Sequence, residues 1–266
     1  MKKKFNFSKI YLALIMLFFY APIVYVVLFS FNAESSLSHF GGFSLRWYEK
    51  MFNSRPMMES VYYSLLVAVI ATIVSTIVGT VASIGLSKSN KVLKEVVTQV
   101  NNLPMLNPDI VTAIGLMLFF TTLKIPAGFG TLLIAHIVFC IPYVMLSVTP
   151  KLRQLDDNVA EAALDLGCTP IQSLIKVIIP QIKEGIVSGA IVAFTMSFDD
   201  FVISYFTTGP GINNISTYVY SASKRINPSI NSLSTLIVLA VTIVLILMNV
   251  VPMIKERKFK KNEKVI

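Results

Sequence analysis

Six long runs of apolar residues constrain this chain more than any other feature of its sequence. Each run is about 20 residues or longer, and a helix of that length, rising about 1.5 Å per residue, crosses the ~30 Å hydrocarbon core of a bilayer. The predicted spans are residues 10–31, 61–86, 103–123, 130–149, 186–206 and 233–254. Only 14% of the 266 residues are charged, against about 25% in soluble domains, which excludes an ordinary soluble enzyme and a disordered chain. The sequence predicts an all-α integral membrane protein, with six transmembrane helices in one domain over residues 1–266.

The basic residues are unevenly distributed between the two sides that these spans define. Four lie in the N-terminal tail, three in the loop 87–102, four in the loop 150–185 and six after residue 254, which places 17 of the 23 Lys and Arg on one side. The positive-inside rule makes this side cytoplasmic, so both termini are expected inside. Because the net charge of +9 follows membrane topology, no nucleic-acid partner is expected, whereas the basic C-terminal tail suits lipid headgroups.

Motifs for catalysis or for ATP binding are absent from the sequence. There is no P-loop, since the nearest glycine pair, Gly79 and Gly85, lies within a predicted span. Cys140 and Cys168 are far apart and form no CxxC motif. We therefore expect no catalytic residue, no metal site and no cofactor bound by this chain. For the isolated His136 we expect a packed, hydrogen-bonded side chain in preference to a ligand.

The loop 150–185 contains the strongest local signals for short helices. Asp156-Asp157-Asn158 is typical of a helix start, and the following apolar positions predict a helix that Gly167 ends in a left-handed conformation. Thr169 then caps a second helix, with Pro170 at its first position. The residues alone favour equally a surface helix that only connects two spans and a helix that binds a partner.

The second alternative rests on three adjacent residues of the first short helix. Ala162 and Ala163 present small side chains against which a partner can pack closely, and Glu161 is placed to pair with a basic group of that partner. The order of motif residues is Glu161-Ala162-Ala163, Gly167 and then Val177-x-Ile179-Pro180. This pattern resembles the EAA loop of binding-protein-dependent ABC importer permeases. The resemblance implies a coupling helix that docks on a cytoplasmic ATPase, with ATP and Mg²⁺ bound by that separate chain.

Further motifs extend the resemblance over nearly the whole chain. They are Asn107–Val111, Ser197–Val202, Thr208–Pro210 and the stretch that runs from Tyr218–Ser221 through Asn227–Asn231 to Ser234-Thr235. They are similar to PotC-type permeases of spermidine/putrescine importers. The resemblance implies a type I ABC importer permease fold in a bacterial inner membrane. The implied partners are a second homologous permease, an ATPase dimer and an extracytoplasmic polyamine-binding protein.

Three acidic residues, Asp109, Asp199 and Asp200, lie inside predicted spans. An acidic side chain at the centre of a span costs about 2.5–3.5 kcal/mol on insertion scales, so such residues usually serve a function. No Lys or Arg lies well inside a span to pair with them. The three carboxylates therefore suit a path for a cationic solute, which needs acceptors to replace its hydration.

The sequence leaves open which of these acids faces the path. Residues Gly185, Gly189, Ala193, Ser197, Asp200 and Ser204 form a stripe of small or polar side chains at helical spacing. If the stripe lines the path, Asp200 faces the solute. If it is a helix-packing seam, Asp199 does. Asp109 is equally consistent with a helix start in which Asn107 is the cap and Pro108 the first residue.

The same apolar runs and acidic residues are also compatible with other functions. An importer of another small cationic or organic solute would have the same architecture. An ion-coupled carrier or a cation channel could use the same three acids, and a structural or sensory membrane subunit could lack transport altogether. In the first extracytoplasmic loop, Trp47 and Tyr48 are expected to be anchors at the membrane interface.

Overall fold

The computed structural model describes residues 7–156, 158–223, 227–244 and 246. Within these ranges the structure is helical and contains no strand, apart from one isolated β-bridge between Asn32 and Phe43. A π-helical segment, Leu174–Ile178, joins two of the helices. The helices are α1 (Phe7–Ser30), α2 (Arg46–Phe52), α3 (Arg55–Ser87), α4 (Lys91–Leu106), α5 (Asp109–Thr122), α6 (Phe129–Leu152), α7 (Val159–Asp165), α8 (Pro170–Ser173), α9 (Ile179–Gln181), α10 (Lys183–Phe198), α11 (Val202–Thr207), α12 (Ile215–Ala222) and α13 (Ser229–Val244).

Three helices of the described chain are each long and apolar enough to cross a membrane: α1 over Tyr11–Ser30, α3 and α6. Two sharply bent pairs would raise this number to five if each pair is one span. They are α4 with α5, and Pro170–Gln181 with α10. The apolar helix α13 is shorter. It covers the first part of the predicted span 233–254, of which residues 245 and 247–254 lie outside the described residues.

The predicted span 103–123 is broken at Asn107 and Pro108. Helices α4 and α5 meet there at a bend of 109°. Proline has no backbone N–H and disfavours helical backbone in the residue before it, and Asn107 accordingly has an extended conformation, with ψ at 148°. Asp109 therefore begins a new helix instead of lying within a continuous one.

The predicted span 186–206 is also divided, although no proline interrupts it. Helix α10 ends at Phe198 and helix α11 begins at Val202. The carboxylate of Asp200 accepts hydrogen bonds from the backbone N–H groups of Ile203 and Ser204. Aspartate side chains that bond to nearby backbone in this way compete with continuous helix.

The chain divides into two compact units, residues 59–218 and the two ends, 1–58 with 219–266. In the unit 59–218, helix α6 packs against α10, α11, α5 and α4. Its apolar core includes Phe139, Val144 and Val148 of α6, with Ile182 and Ile203. Between membrane helices such side chains stabilise the fold through close packing, since lipid tails are as apolar as the core itself.

In the other unit, Trp47 is not the interfacial anchor that the sequence predicted. Its side chain is 2% exposed, and its indole N–H donates to the carbonyl of Asn32 at 2.7 Å. The hydroxyl of Tyr48 likewise lies 2.8 Å from that of Ser30. Arg46 stacks over the Trp47 ring, 4.4 Å from its centroid. The two aromatic side chains of α2 therefore bind the end of α1 and the loop that follows it.

Candidate substrate path and coupling surface

Asp200 lies in the turn between α10 and α11, where its side chain is only 7% exposed. One carboxylate oxygen accepts from the N–H of Ile203 at 3.2 Å, and the other accepts from the N–H of Ser204 at 2.7 Å. The second oxygen also lies 3.6 Å from Nε2 of His136. Asp200 thus satisfies the first turn of α11 and faces the protein interior.

His136 joins three helices through hydrogen bonds to serine hydroxyls. On α6, its side chain is 1% exposed, with Nδ1 2.7 Å from the hydroxyl of Ser197 on α10 and Nε2 2.9 Å from that of Ser204 on α11. A buried polar group is costly unless it is paired, and both ring nitrogens are paired here. The expected packed, hydrogen-bonded role of His136 is therefore what the structure shows.

Asn214 completes this buried polar cluster, which consists of His136, Ser197, Asp200, Ser204 and Asn214. Its amide donates to the backbone carbonyl of Asp200 at 3.1 Å and to the hydroxyl of Ser204 at 2.6 Å. Its carbonyl accepts from the N–H of Thr217 at 2.9 Å, as a helix cap does. The sequence analysis did not single out Asn214, although an asparagine directly before the first residue of a helix, here Ile215, is a common cap.

The stripe of small residues on α10 is a packing seam. Gly185, Gly189, Ala193 and Ser197 are all buried, and α10 packs against α6. A Cβ atom added at Gly189 would lie 3.2 Å from the Cα of Val144. The arrangement corresponds to the second alternative from the sequence, in which Asp199 is turned away from the seam. Asp199 is exposed, one residue from Asp200, whose side chain is only 7% exposed.

Asp109 is exposed at the first residue of α5. Pro108, not Asn107, holds the cap position of that helix, and no side chain caps it, so the predicted capping role of Asn107 is wrong. Of the three predicted acids, Asp109 and Asp199 are therefore exposed, whereas the side chain of Asp200 is only 7% exposed.

The connector, residues 158–178, has the local structure that its caps predict. Gly167 follows α7 with φ at +85°, the left-handed conformation that favours glycine. Thr169 accepts from the N–H of Gln172, whose side chain in turn accepts from the N–H of Thr169, so the two form a capping box. At the start of α7, Asp156 accepts from the N–H of Asn158, while Asp157 lies outside the described residues.

The predicted coupling residues of α7 point in two directions. Glu161 and Ala162 are exposed, whereas Ala163 is 6% exposed and turned towards the interior of the chain. The sequence prediction that both alanines face a partner is therefore not what the structure shows for Ala163. Leu166, one turn after Ala162, is 86% exposed, and Ile171 is 69% exposed. The outward face is thus more apolar than the motif alone indicated.

Comparison with known proteins shows which family the chain resembles in sequence. Residues 75–261 match the family model described as "Binding-protein-dependent transport system inner membrane component". The putrescine transport system permease protein PotI of Escherichia coli K12 is 35% identical over 239 residues, which cover 85% of this chain and 84% of that relative. The spermidine/putrescine transport system permease protein PotC of Haemophilus influenzae is 31% identical over 245 residues, covering 91% and 95%.

Among solved structures, one chain of a bacterial ABC transporter involved in the import of the acidic polysaccharide alginate matches the fold. The TM-score is 0.69 at 15% identity, and the match covers 92% of this chain and 94% of that one. The all-α importer-permease fold predicted from the sequence is confirmed by these matches. The chain belongs to the family of inner-membrane components of binding-protein-dependent transport systems.

Proposed function

We propose that this chain is the transmembrane permease subunit of an ATP-driven importer of polyamines, spermidine or putrescine. The observation that supports this most directly is the pair of relatives named for putrescine and spermidine/putrescine transport, which are 31–35% identical over most of the chain. Family membership by itself is compatible with an importer of another small solute. It disfavours an ion-coupled carrier or a channel, which would need no binding protein.

The proposed solute contacts are the two exposed acids, Asp109 and Asp199. Both lie at helix breaks, the first between α4 and α5 and the second between α10 and α11. Within the described part of the chain, neither carboxylate forms an ion pair. An ammonium group that leaves water requires such acceptors. Asp200 is assigned a positioning role, because its oxygens already accept two backbone hydrogen bonds.

The proposed energy source is a separate ATPase dimer that binds ATP and Mg²⁺. The exposed face of α7, with Glu161 and Ala162, would dock on that dimer, so that its closure moves the connector and switches the spans between inward- and outward-facing states. A second homologous permease would complete the path, and an extracytoplasmic polyamine-binding protein would deliver the solute. Both termini would then lie in the cytoplasm, as the distribution of basic residues predicts.

The test is uptake of labelled putrescine and spermidine by cells that lack this chain but retain its partner subunits. Restored uptake by the wild-type chain, lost when the ATPase subunit is inactivated, is the expected result. Unlabelled amino acids and sugars serve as competitors and should leave uptake unchanged. Failure of the wild-type chain to restore polyamine uptake would reject the solute, and uptake that survives loss of the ATPase would indicate a carrier or channel.

A further inference from the structure

A polar crevice of about 210 Å³ opens between the last turns of α3 and α6 and the side of α4. Its polar lining consists of hydroxyl groups and two cations, and leucine side chains complete the walls. The polar lining includes Ser83, Lys94, Thr98, Thr149 and Arg153. By the positive-inside rule, this end of the spans is cytoplasmic. All three helices contribute to the crevice within the unit 59–218.

Ser83 supplies a hydrogen-bond donor that has no acceptor. The residue is 2% exposed, and its Oγ has no hydrogen-bond partner among the described residues. Most buried hydroxyl groups in proteins are hydrogen-bonded, so an unpartnered one on the wall of a cavity can take a ligand atom or a water molecule as its acceptor. Thr72, Thr76 and Thr80 of the same helix are also buried without a partner within the described residues, but they do not line the crevice. The ligand must present an acceptor, because the neighbouring Lys94 and Arg153 are also donors.

The two cations of the crevice differ in charge pairing from Lys91 and Lys151, although Lys88 nearby also forms no ion pair within the described residues. Lys91 lies 4.0 Å from Glu95, and Lys151 lies 2.7 Å from Glu184. By contrast, neither Lys94 nor Arg153 forms an ion pair within the described residues. Two uncompensated cations with several hydroxyl donors are the complement of a phosphate group, whose oxygens accept charge-assisted hydrogen bonds.

The outer surface of α4 indicates where such a phosphate would come from. No residue of this helix is buried. Its valines Val92, Val96 and Val100 are 72%, 55% and 59% exposed and recur one turn apart. A helix with an apolar stripe beside a basic crevice is typical of segments that lie at the membrane interface, and basic pockets between spans on the cytoplasmic side bind anionic headgroups.

We propose that this crevice binds a phosphate group, with Lys94 and Arg153 as its charge partners and Ser83 as a donor. The phosphate belongs either to the headgroup of an anionic membrane lipid or to a soluble phosphate compound. The apolar stripe of α4 predicts the lipid. The site is separate from the exposed acids Asp109 and Asp199 and does not depend on which solute is transported.

The experiment measures dissociation constants on the full-length chain purified from membranes and reconstituted in nanodiscs of phosphatidylcholine. The probes are short-chain phosphatidylglycerol and inorganic phosphate, each titrated calorimetrically. The double variant Lys94→Gln/Arg153→Gln should weaken binding about 30-fold, since each basic residue near a headgroup contributes about one kcal/mol. The control Lys88→Gln/Lys91→Gln removes the same charge outside the crevice and should change affinity less than about threefold.

Binding of phosphatidylglycerol without inorganic phosphate assigns the site to lipid, and comparable binding of both assigns it to soluble phosphate. Either result supports the proposal if the double variant weakens binding and the control does not. Ser83→Ala retains both cations and tests the site independently if the double variant fails to fold, with a loss of about fivefold expected. No binding of either probe by the wild-type chain, or equal affinities for the double variant and the control, would overturn the proposal.

Discussion

The buried polar cluster and the connector differ in whether the chain itself supplies partners for their side chains. Around His136 the chain satisfies its own polar groups, so that both imidazole nitrogens and both Asp200 oxygens have partners. Along the connector, by contrast, Leu166 and Ile171 expose large apolar side chains to the surroundings. The cluster is therefore complete within this chain, whereas the connector has the character of a surface that another molecule covers.

This difference separates residues that maintain the fold from residues available for function. Changes in the cluster should lower stability, and transport should fall only as a consequence. Changes on the exposed face of the connector should leave stability unchanged and affect association with a partner.

Asp200→Ala should give the largest loss of stability. The variant removes two acceptors from the start of α11 and leaves His136 beside an unpaired site. We expect the free energy of unfolding to fall by about 3 kcal/mol, measured by titration with SDS in mixed micelles. The adjacent variant Asp199→Ala is the control and should be neutral, because its side chain is exposed. Equal losses of stability for Asp200→Ala and Asp199→Ala would contradict the distinction between a structural Asp200 and an exposed Asp199.

Gly189→Val tests the seam between α6 and α10. An added Cβ would lie 3.2 Å from the Cα of Val144 and 3.3 Å from the Cβ of Ser147, so the two helices must separate. The expected destabilisation is about 2 kcal/mol by the same titration. Gly115→Val is the matched control on α5, where an added Cβ meets no described atom within 4 Å. If Gly189→Val lowers the free energy of unfolding no more than Gly115→Val does, the contact between α6 and α10 is not a tightly packed interface.

Leu166→Glu and Glu161→Lys test the connector as the docking surface. Both side chains are exposed, so thermal stability of the purified chain should not change. Co-purification of the ATPase subunit should fall about tenfold, the loss of roughly one good interface contact. Glu95→Lys reverses an exposed charge on α4 and serves as the control. Unchanged co-purification of the ATPase with both connector variants would place its docking surface elsewhere.

Gly167→Ala should have the smallest effect. The residue has φ at +85°, and an added Cβ would meet no atom of the described residues within 4 Å, so backbone strain is what opposes alanine. That strain is about 1 kcal/mol. It should appear as faster hydrogen exchange of the amides around residues 166–173, with exchange in α6 unchanged. Gly130→Ala, which also meets open space, should leave exchange in the connector as it is in the wild-type chain.

The features that sequence predicted well are those fixed by near neighbours in the chain. Gly167 ends a helix and Thr169 with Pro170 begins one, because caps depend on residues three or four positions apart. The apolar runs likewise became helices. The acidic residues inside those runs, Asp109 and Asp199, lie exposed at breaks between helices, a position that the runs themselves did not reveal.

The features that sequence missed depend on contacts between distant residues. No proline lies in Phe198–Phe201. The break combines a local cap, in which Asp200 accepts from the N–H groups of Ile203 and Ser204, with a distant contact, in which the amide of Asn214 donates to the backbone carbonyl of Asp200. The burial of Trp47 depends on a hydrogen bond to Asn32, fifteen residues earlier. The inward turn of Ala163 depends in the same way on packing of α7 against the segment 170–178.

Polyamine uptake by Asp199→Asn and Asp200→Asn variants, at matched amounts in the membrane, tests most directly whether the exposed acid contacts the solute. We expect Asp199→Asn to retain wild-type stability but to lose about tenfold or more of its uptake, the equivalent of one charge-assisted contact. Asp200→Asn should lose uptake only in proportion to its lost stability. Full uptake by a stable Asp199→Asn variant would contradict the assignment of the exposed acid to the substrate path.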